Sequence, residues 1–202
     1  MSLIEDGEVR AFLAIELDTP LRETLDDWMT ATRRGEPEMA RALRWVEPNQ
    51  LHVTLRFLGN RARRELDELA KALAARCRRR SGTMAELSGI GAFPVRRPRV
   101  LWVGVEEGRD ALIELYCELS ETLSEFGVAD EERPFSPHVT LARVRAREPR
   151  RDTIDTIRRW RDAGRERSFG RLWVQSVTLF ESQLRRGAPP AYRALAHFPL
   201  CS

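Results

Sequence analysis

Long hydrophobic runs, lysine and pairable cysteines are all scarce in this chain. No apolar stretch approaches the roughly 18 residues that a membrane-spanning helix needs. Residues 1–9 carry acidic groups and no basic stretch, so we expect no signal peptide and a cytoplasmic location. The cysteines are Cys77, Cys117 and Cys201, an odd number without metal-binding spacing. This pattern argues against both a disulfide framework and a zinc site.

Positive charge comes almost entirely from arginine, because Lys71 is the sole lysine among 34 basic residues. The net charge is +3. A weakly positive surface favours the approach of a phosphate-bearing ligand. Solvated arginines are nevertheless the ordinary explanation for such a composition. Charge by itself therefore does not establish a nucleic-acid partner.

Hydrophobic periodicity predicts a mixture of strands and helices. Strands are expected at residues 11–17, 51–58, 84–92, 99–105, 137–144, 172–180 and 191–198. Helices are expected after Asp18, at 66–77, at 112–126 and at 152–163, with a loop at 33–40 and a polar turn around 185–187. Cys77 and Cys117 fall on the apolar stripes of two of these helices, so we expect both in the core.

The order of elements repeats strand-helix-strand in both halves of the chain. No Pro/Gly/Ser-rich linker separates the halves. We therefore predict the α+β class, with two closely packed lobes rather than two independent domains. Residues 1–202 are expected to form a single bilobal domain.

The most informative feature is a repeated tetrapeptide. His52 and His138 each open the sequence His-Val-Thr-Leu, and both copies lie on expected strands. Side chains two positions apart on a strand share a face, so Thr54 accompanies His52 and Thr140 accompanies His138. Each strand then presents an imidazole beside a hydroxyl, backed by aliphatic side chains.

Such a pair suits phosphoryl chemistry. Two imidazoles can divide the roles of general acid and general base near neutral pH. Hydroxyl groups can hold phosphate oxygens in the transition state. One alternative is that the histidines have a structural role and only complete hydrogen bonds. Another is that the protein is a metal hydrolase. No His-x-His or His-Glu-x-x-His motif is present, however. His197 lacks a companion threonine and is interpreted as structural.

Two arginines and two phenylalanines near the motifs are ambiguous. Alternation puts Arg56 on the His52 face, where it could meet a phosphate. Arg143 would reach the same cleft only if its strand ends or bulges. We treat both as tentative phosphate ligands. Phe57 and Phe135 could stack on a base, although alternation directs Phe57 into the core.

Together these motifs resemble the two-histidine (2H) phosphoesterases, and among them the RNA 2′,3′-cyclic phosphodiesterases, also called 2′-5′ RNA ligases. The resemblance covers essentially the whole chain. Besides the two histidine strands it is carried by residues 10–15, 45–46, 51–59, 91–94, 98–102 and 133–138.

The resemblance implies two pseudo-symmetric lobes, each an antiparallel sheet with helices on its outer face, around a central cleft. It implies hydrolysis of RNA 2′,3′-cyclic phosphate to a 2′-phosphomonoester, with 2′-5′ ligation as the reverse reaction. His52 would be the proton donor and His138 the proton acceptor. Thr54 and Thr140 would hold the phosphate. We expect no metal, no cofactor, no membrane association and a monomer.

Two other functions fit the same residues. One is a non-catalytic module that binds RNA ends. The other is a phosphodiesterase acting on a small cyclic nucleotide or a cyclic ADP-ribose phosphate. The loops that would decide the substrate are poorly predicted from one sequence.

Overall fold

The computed structural model describes residues 7–146, 150–183 and 189–201. Its strands are β1 (Glu8–Glu16), β2 (Leu43–Trp45), β3 (His52–Ala62), β4 (Thr83–Phe93), β5 (Val100–Val105), β6 (His138–Val144), β7 (Ser168–Val174), β8 (Ser176–Gln183) and β9 (Ala191–Pro199). Its helices are α1 (Thr19–Gly35), α2 (Pro37–Ala42), α3 (Arg63–Cys77), α4 (Arg109–Glu125) and α5 (Arg151–Ala163), with a 3-10 turn at Pro48–Gln50.

The described strands form one antiparallel sheet in the order β7-β4-β5-β6-β3-β1-β8-β9, with β2 paired to β6. The junction between β6 and β3 divides this order into two halves of four strands. Among these eight strands the chain crosses between the halves twice, because β4 follows α3 but pairs with β5, whereas β8 follows β7 but pairs with β1. The expected α+β class with antiparallel sheets is confirmed. The sheets of the two halves are joined into one continuous sheet.

Helices α1 and α4 cross over to the opposite half, whereas α3 and α5 pack on the half that contains the strand they follow. Helices α3 and α4 pack on each other, and α3 also contacts β8 and β9. Helix α1 contacts β7, and α5 contacts β4. One large apolar cluster lies between these helices and the sheet, and includes Leu13, Leu55 and Leu141. Each half of the sheet is therefore supported on one face, which leaves the other face available for a site.

Helix α1 begins where the sequence predicts it. The Asp18 carboxylate accepts a hydrogen bond of 2.9 Å from the backbone N–H of Leu21, and Pro20 occupies the first turn. The loop expected at 33–40 is wrong, because α1 continues to Gly35 and α2 follows it. The fully buried side chain of Met39 anchors α2, a tertiary contact that local composition does not reveal.

Two further expectations are corrected. The single strand expected at 172–180 is two strands, because β7 pairs with β4 and β8 pairs with β1. Cys77 is buried as expected, but Cys117 is exposed. Cys117 lies two residues from the buried Leu115, which is about 200° around the helix. The turn expected at 185–187 lies outside the described residues. None of the described helices is long and apolar enough to cross a membrane.

Candidate active site

The two His-Val-Thr-Leu strands meet at a single registered pair, Val53 of β3 with Val139 of β6. Both valine side chains are buried in the apolar cluster. Neighbouring residues on a strand point to the opposite face. The polar residues that flank the two valines share that face: His52, Thr54, His138 and Thr140. Because the pairing is antiparallel, each histidine lies across from the threonine of the other strand.

Both strands bulge at the leucine that ends the tetrapeptide. The register between β1 and β3 shifts so that Leu55 has no partner, and the register between β5 and β6 shifts in the same way at Leu141. Two consecutive residues are consequently buried on each strand. A β-bulge reverses the alternation of every residue beyond it. The bulges therefore decide which side chains beyond the motifs face the cleft.

The bulge at Leu55 corrects two placements. Arg56 does not share the His52 face; its side chain is buried, with 2% exposure. Phe57 does not point into the core; it is 55% exposed and lines the cavity beside His52. On β6 the bulge has the opposite consequence and brings Arg143 onto the histidine face, where it lines the same cavity.

Arg56 is held by the protein itself. Its guanidinium donates hydrogen bonds to the Tyr116 hydroxyl and to the Ala129 carbonyl, and it pairs with the exposed Asp130. The ring of Tyr116 in turn stacks on Phe135, with 4.4 Å between centroids and 7° between planes. Arg56 is therefore not placed to bind a phosphate in the cavity, contrary to the expectation from alternation. Phe135 packs against Tyr116 rather than lining the cavity.

Each of the two imidazoles is oriented by a hydrogen bond between its Nδ1 and a backbone carbonyl two residues earlier. His52 Nδ1 is 2.7 Å from the Gln50 carbonyl oxygen, and His138 Nδ1 is 2.7 Å from the Ser136 carbonyl oxygen. A carbonyl only accepts, so each Nδ1 carries a hydrogen and each neutral ring keeps its lone pair on Nε2. His52 Nε2 lies 3.0 Å from Thr54 Oγ1, whose hydroxyl can donate to that lone pair.

Burial and nearby positive charge act on both rings. Burial lowers the pKa of His52, and the charges of His138 and Arg143 lower it further, against the Gln50 hydrogen bond and the Glu16 carboxylate, which raise it. Burial also lowers the pKa of His138, with Arg143 acting in the same direction against the Ser136 hydrogen bond. In the free protein both imidazoles are therefore neutral at pH 7. Arg143 lies close enough to influence both rings.

Aromatic side chains surround each histidine. The His52 ring lies 5.2 Å from Phe12 and 5.4 Å from Tyr192, measured between centroids. The His138 ring lies 5.4 Å from Phe93 and 6.0 Å from Trp102. These rings lie against the imidazoles as apolar neighbours. They also supply flat apolar surface of the kind on which nucleobases stack.

A cavity of about 390 Å³ opens on this face. It is lined by three of the four motif residues, namely His52, Thr54 and Thr140, whereas His138 is absent from its walls. Arg10, Arg44 and Tyr192 also line it. The sequence pattern did not indicate these three residues. Arg44 lies on β2, which is only three residues long, and Tyr192 comes from the last hairpin. Among the described residues, no group of three or more His, Cys, Asp or Glu side chains is placed to hold a metal ion.

Comparison with known sequences places this geometry in context. The model of the 2′-5′ RNA ligase superfamily matches residues 20–185. The RNA 2′,3′-cyclic phosphodiesterase of Aquifex aeolicus is 32% identical over 159 residues, which cover 78% of this chain and 81% of the relative. The RNA 2′,3′-cyclic phosphodiesterase of Thermus thermophilus is 33% identical over 198 residues, or 95% of this chain and 90% of the relative.

Solved structures agree with the sequence comparison. The structure of TT0787 from Thermus thermophilus has a TM-score of 0.76 at 29% identity and covers 95% of this chain and 97% of that one. The Escherichia coli protein LigT in its apo form has a TM-score of 0.72 at 28% identity, covering 97% and 99%. LigT complexed with 3′-AMP gives 0.73 at 28% identity, covering 96% and 99%.

Proposed function

The chain belongs to the 2′-5′ RNA ligase superfamily, and from this premise we propose that it hydrolyses RNA 2′,3′-cyclic phosphate ends to 2′-phosphomonoesters by two-histidine acid-base catalysis without a metal. It is an enzyme of the cyclic phosphodiesterase class. The observation that carries the mechanism is the Val53–Val139 pair. This pair sets two imidazoles and two hydroxyls around one point of the sheet.

His138 is the proposed general base. Its Nδ1 hydrogen is engaged by the Ser136 carbonyl, which leaves the Nε2 lone pair to take a proton from water. Because burial and Arg143 lower the pKa of His138, the ring is neutral and ready to accept at pH 7. A positioned imidazole of this kind contributes about 10²–10⁴-fold to the rate.

His52 is the proposed general acid. The Gln50 carbonyl fixes its Nδ1–H, so the transferable proton belongs on Nε2. The negative charge of a bound cyclic phosphate favours protonation there. In the free protein the Thr54 hydroxyl lies within hydrogen-bond distance of His52 Nε2. Once Nε2 carries a proton, this hydroxyl is free to turn toward a phosphate oxygen.

The proposed reaction is one displacement at phosphorus. Water attacks as His138 Nε2 removes its proton, and a P–O bond forms. The bond from phosphorus to the 3′ oxygen breaks as His52 Nε2 gives that oxygen its proton. Thr54 and Thr140 donate hydrogen bonds to the non-bridging oxygens, and Arg143 balances their charge. The products are a 3′ hydroxyl and a 2′-phosphomonoester, and the histidines exchange protonation states.

The same arrangement can also join RNA ends. If a 5′ hydroxyl replaces water beside His138, attack on the cyclic phosphate joins two RNA ends through a 2′-5′ bond. Ligation requires no further group, because His138 removes the proton of the 5′ hydroxyl and His52 gives a proton to the leaving 3′ oxygen, as in hydrolysis. We propose this ligation as a secondary activity.

An RNA end is favoured over a small cyclic nucleotide by the walls of the cavity. Arg10 and Arg44 line the cavity in addition to Arg143. A single cyclic phosphate carries one negative charge, which one arginine can balance. Further arginines suit the phosphates that precede the terminal nucleotide in an oligonucleotide. Exposed Phe57 offers a stacking surface for a base.

The decisive experiment is single-turnover reaction with an oligonucleotide bearing a 2′,3′-cyclic phosphate, alongside the corresponding cyclic mononucleotide. We expect ring opening of the oligonucleotide and a 2′-phosphate product, identified by its chromatographic mobility. His138→Ala is the matched inactive control. Measurable binding without ring opening would support the non-catalytic alternative. Faster opening of the mononucleotide would support the small-molecule alternative.

We further propose that the two halves fold as one unit and act as a monomer in the cytoplasm. The exchange of β4 and β8 between the halves supports a single folding unit. Coincident unfolding transitions by two spectroscopic probes would test the first point. Sedimentation equilibrium and cell fractionation would test the others.

A further inference from the structure

The two histidines have different neighbours at one equivalent position of the sheet. Strand β1 lies beside β3 and pairs Glu16 with His52. Strand β5 lies beside β6 and pairs Gly104 with His138. Paired residues project to the same face of a sheet. The otherwise repeated site therefore has a carboxylate on the His52 side and no side chain on the His138 side.

The Glu16 carboxylate is held in place by two residues of the last hairpin. The hydroxyl of Thr178, which is fully buried, donates a hydrogen bond of 2.7 Å to Glu16 Oε1. His197 Nδ1 lies 3.0 Å from the same hydroxyl and 3.4 Å from Glu16 Oε1. Because Thr178 cannot move to solvent, the carboxylate is fixed although its own side chain is 42% exposed.

A side chain is disfavoured at the equivalent place beside His138. A Cβ atom on Gly104 would lie 3.2 Å from the Trp102 ring and 3.1 Å from the Ser88 carbonyl oxygen. The indole ring of Trp102 occupies the space that a longer side chain would need. The asymmetry is therefore built into the packing of both halves.

The charged groups around the two imidazoles differ accordingly. His52 faces Glu16 from β1, Arg143 and His138 from β6, and Tyr192 from β9. The Glu16 carboxylate raises the pKa of His52, opposing the stronger effect of burial. Arg143 lowers the pKa of both histidines, whereas the charge of His138 additionally lowers the pKa of His52, so Glu16 acts against that charge as well as against burial.

We propose that Glu16, fixed by Thr178 and His197, is a positioning residue that stabilises the protonated form of His52, the proposed general acid. This inference rests on the proposed function, in which one imidazole must be protonated while the other is not. Two copies of the same motif do not by themselves assign those roles. One fixed negative charge on one side favours protonation of the histidine on that side.

The test is a site-resolved titration of the histidine Cε1–H signals by NMR, with signals assigned through His52→Ala and His138→Ala. Glu16→Gln keeps a hydrogen-bond acceptor and removes the charge. We expect the midpoint of His52 to fall by about half a pH unit and that of His138 to stay. A buried opposite charge can have an effect of roughly one to three pH units, and the partial exposure of Glu16 reduces it.

Two further variants separate charge from packing. Thr178→Val keeps the volume of the buried side chain but frees the carboxylate, and should move His52 in the same direction by less. Glu8→Gln removes a carboxylate from the other end of β1, where Glu8 pairs with Ala62, and should move neither histidine. The pH-rate profile of Glu16→Gln gives a second readout. The limb whose midpoint matches the NMR titration of His52 should shift along the pH axis, whereas the other limb should stay.

An unchanged His52 midpoint in Glu16→Gln, or equal movement of both histidines, would overturn the inference. The titration needs no substrate, so its result is independent of the reaction. Failure of the unsubstituted protein to open the cyclic phosphate would instead contradict the proposed function, whatever the titration shows.

Discussion

Val53 and Val139 are partners across β3 and β6, and their pairing joins the two halves of the sheet. Their side chains are buried in the core while the residues on either side of them face the cleft. The candidate site is therefore built on the junction itself. Relative movement of the halves would change the distance between the two imidazoles directly.

The histidines should be separable from the fold. His52→Ala and His138→Ala are each expected to lower kcat/KM on a cyclic-phosphate oligonucleotide by about 10²–10⁴-fold. Both rings are half-buried at the cleft, so circular dichroism and cooperative unfolding should be retained. Lys71→Ala is the comparison, since Lys71 is exposed on α3 and lies outside the residues that line the cavity. A folded His138→Ala protein with full activity would refute the base assignment.

Arg143 and Arg56 should respond in opposite ways. Arg143→Met removes a charged donor from the cavity and should raise KM by roughly tenfold while leaving stability unchanged. Arg56→Met leaves the Tyr116 hydroxyl and the Ala129 carbonyl without their buried donor. It should lower the free energy of unfolding by about 2–3 kcal/mol in urea denaturation. A raised KM with intact stability in Arg56→Met would contradict this division of roles.

The activity optimum should lie on the acidic side of neutrality. The profile of kcat/KM against pH reports the free protein, in which His52 must be protonated and His138 neutral. Burial lowers the pKa of both imidazoles from the ordinary value of 6.5. The bell-shaped profile is therefore expected to centre below pH 6.5, and activity should fall as the pH rises and His52 loses its proton. A maximum above pH 8 would exclude two imidazoles as the titrating groups.

Gly91 should be required for the aromatic wall beside His138. A Cβ atom at this position would lie 2.0 Å from Cζ2 of Trp102, so the indole would have to move. Gly91→Ala is expected to cost about 1–3 kcal/mol of stability and to reduce kcat. Gly35→Ala provides the matched control, because nothing lies within 4 Å of its Cβ position. Equal effects of the two substitutions on unfolding and on activity would argue against a role for Trp102.

Chelation should leave the reaction unchanged. The proposed acid and base are both imidazoles, and the phosphate contacts come from hydroxyl and guanidinium groups. We expect the same single-turnover rate in excess EDTA as in untreated protein. Loss of activity with EDTA and its recovery with added zinc or manganese would replace the proposed scheme by a metal-assisted one.

Several features of the site are decided by the sequence alone. The repeated His-Val-Thr-Leu pattern has the period of a half-buried strand, so each valine is directed inward and each histidine shares a face with its threonine. That relationship is local and survives in the structure. Asp18 and Pro20 likewise predict the start of α1, because capping involves only neighbouring backbone groups.

Only the tertiary structure decides where the side chains beyond each motif point. The bulges at Leu55 and Leu141 arise from pairing with β1 and β5, which are distant in the chain, and they reverse the faces of Arg56, Phe57 and Arg143. Strict alternation fails for all three for that reason. The contact between Glu16 and the last hairpin is also non-local. Local spacing thus determines the two histidine–threonine pairs, whereas strand pairing across the sheet determines which charges and rings surround them.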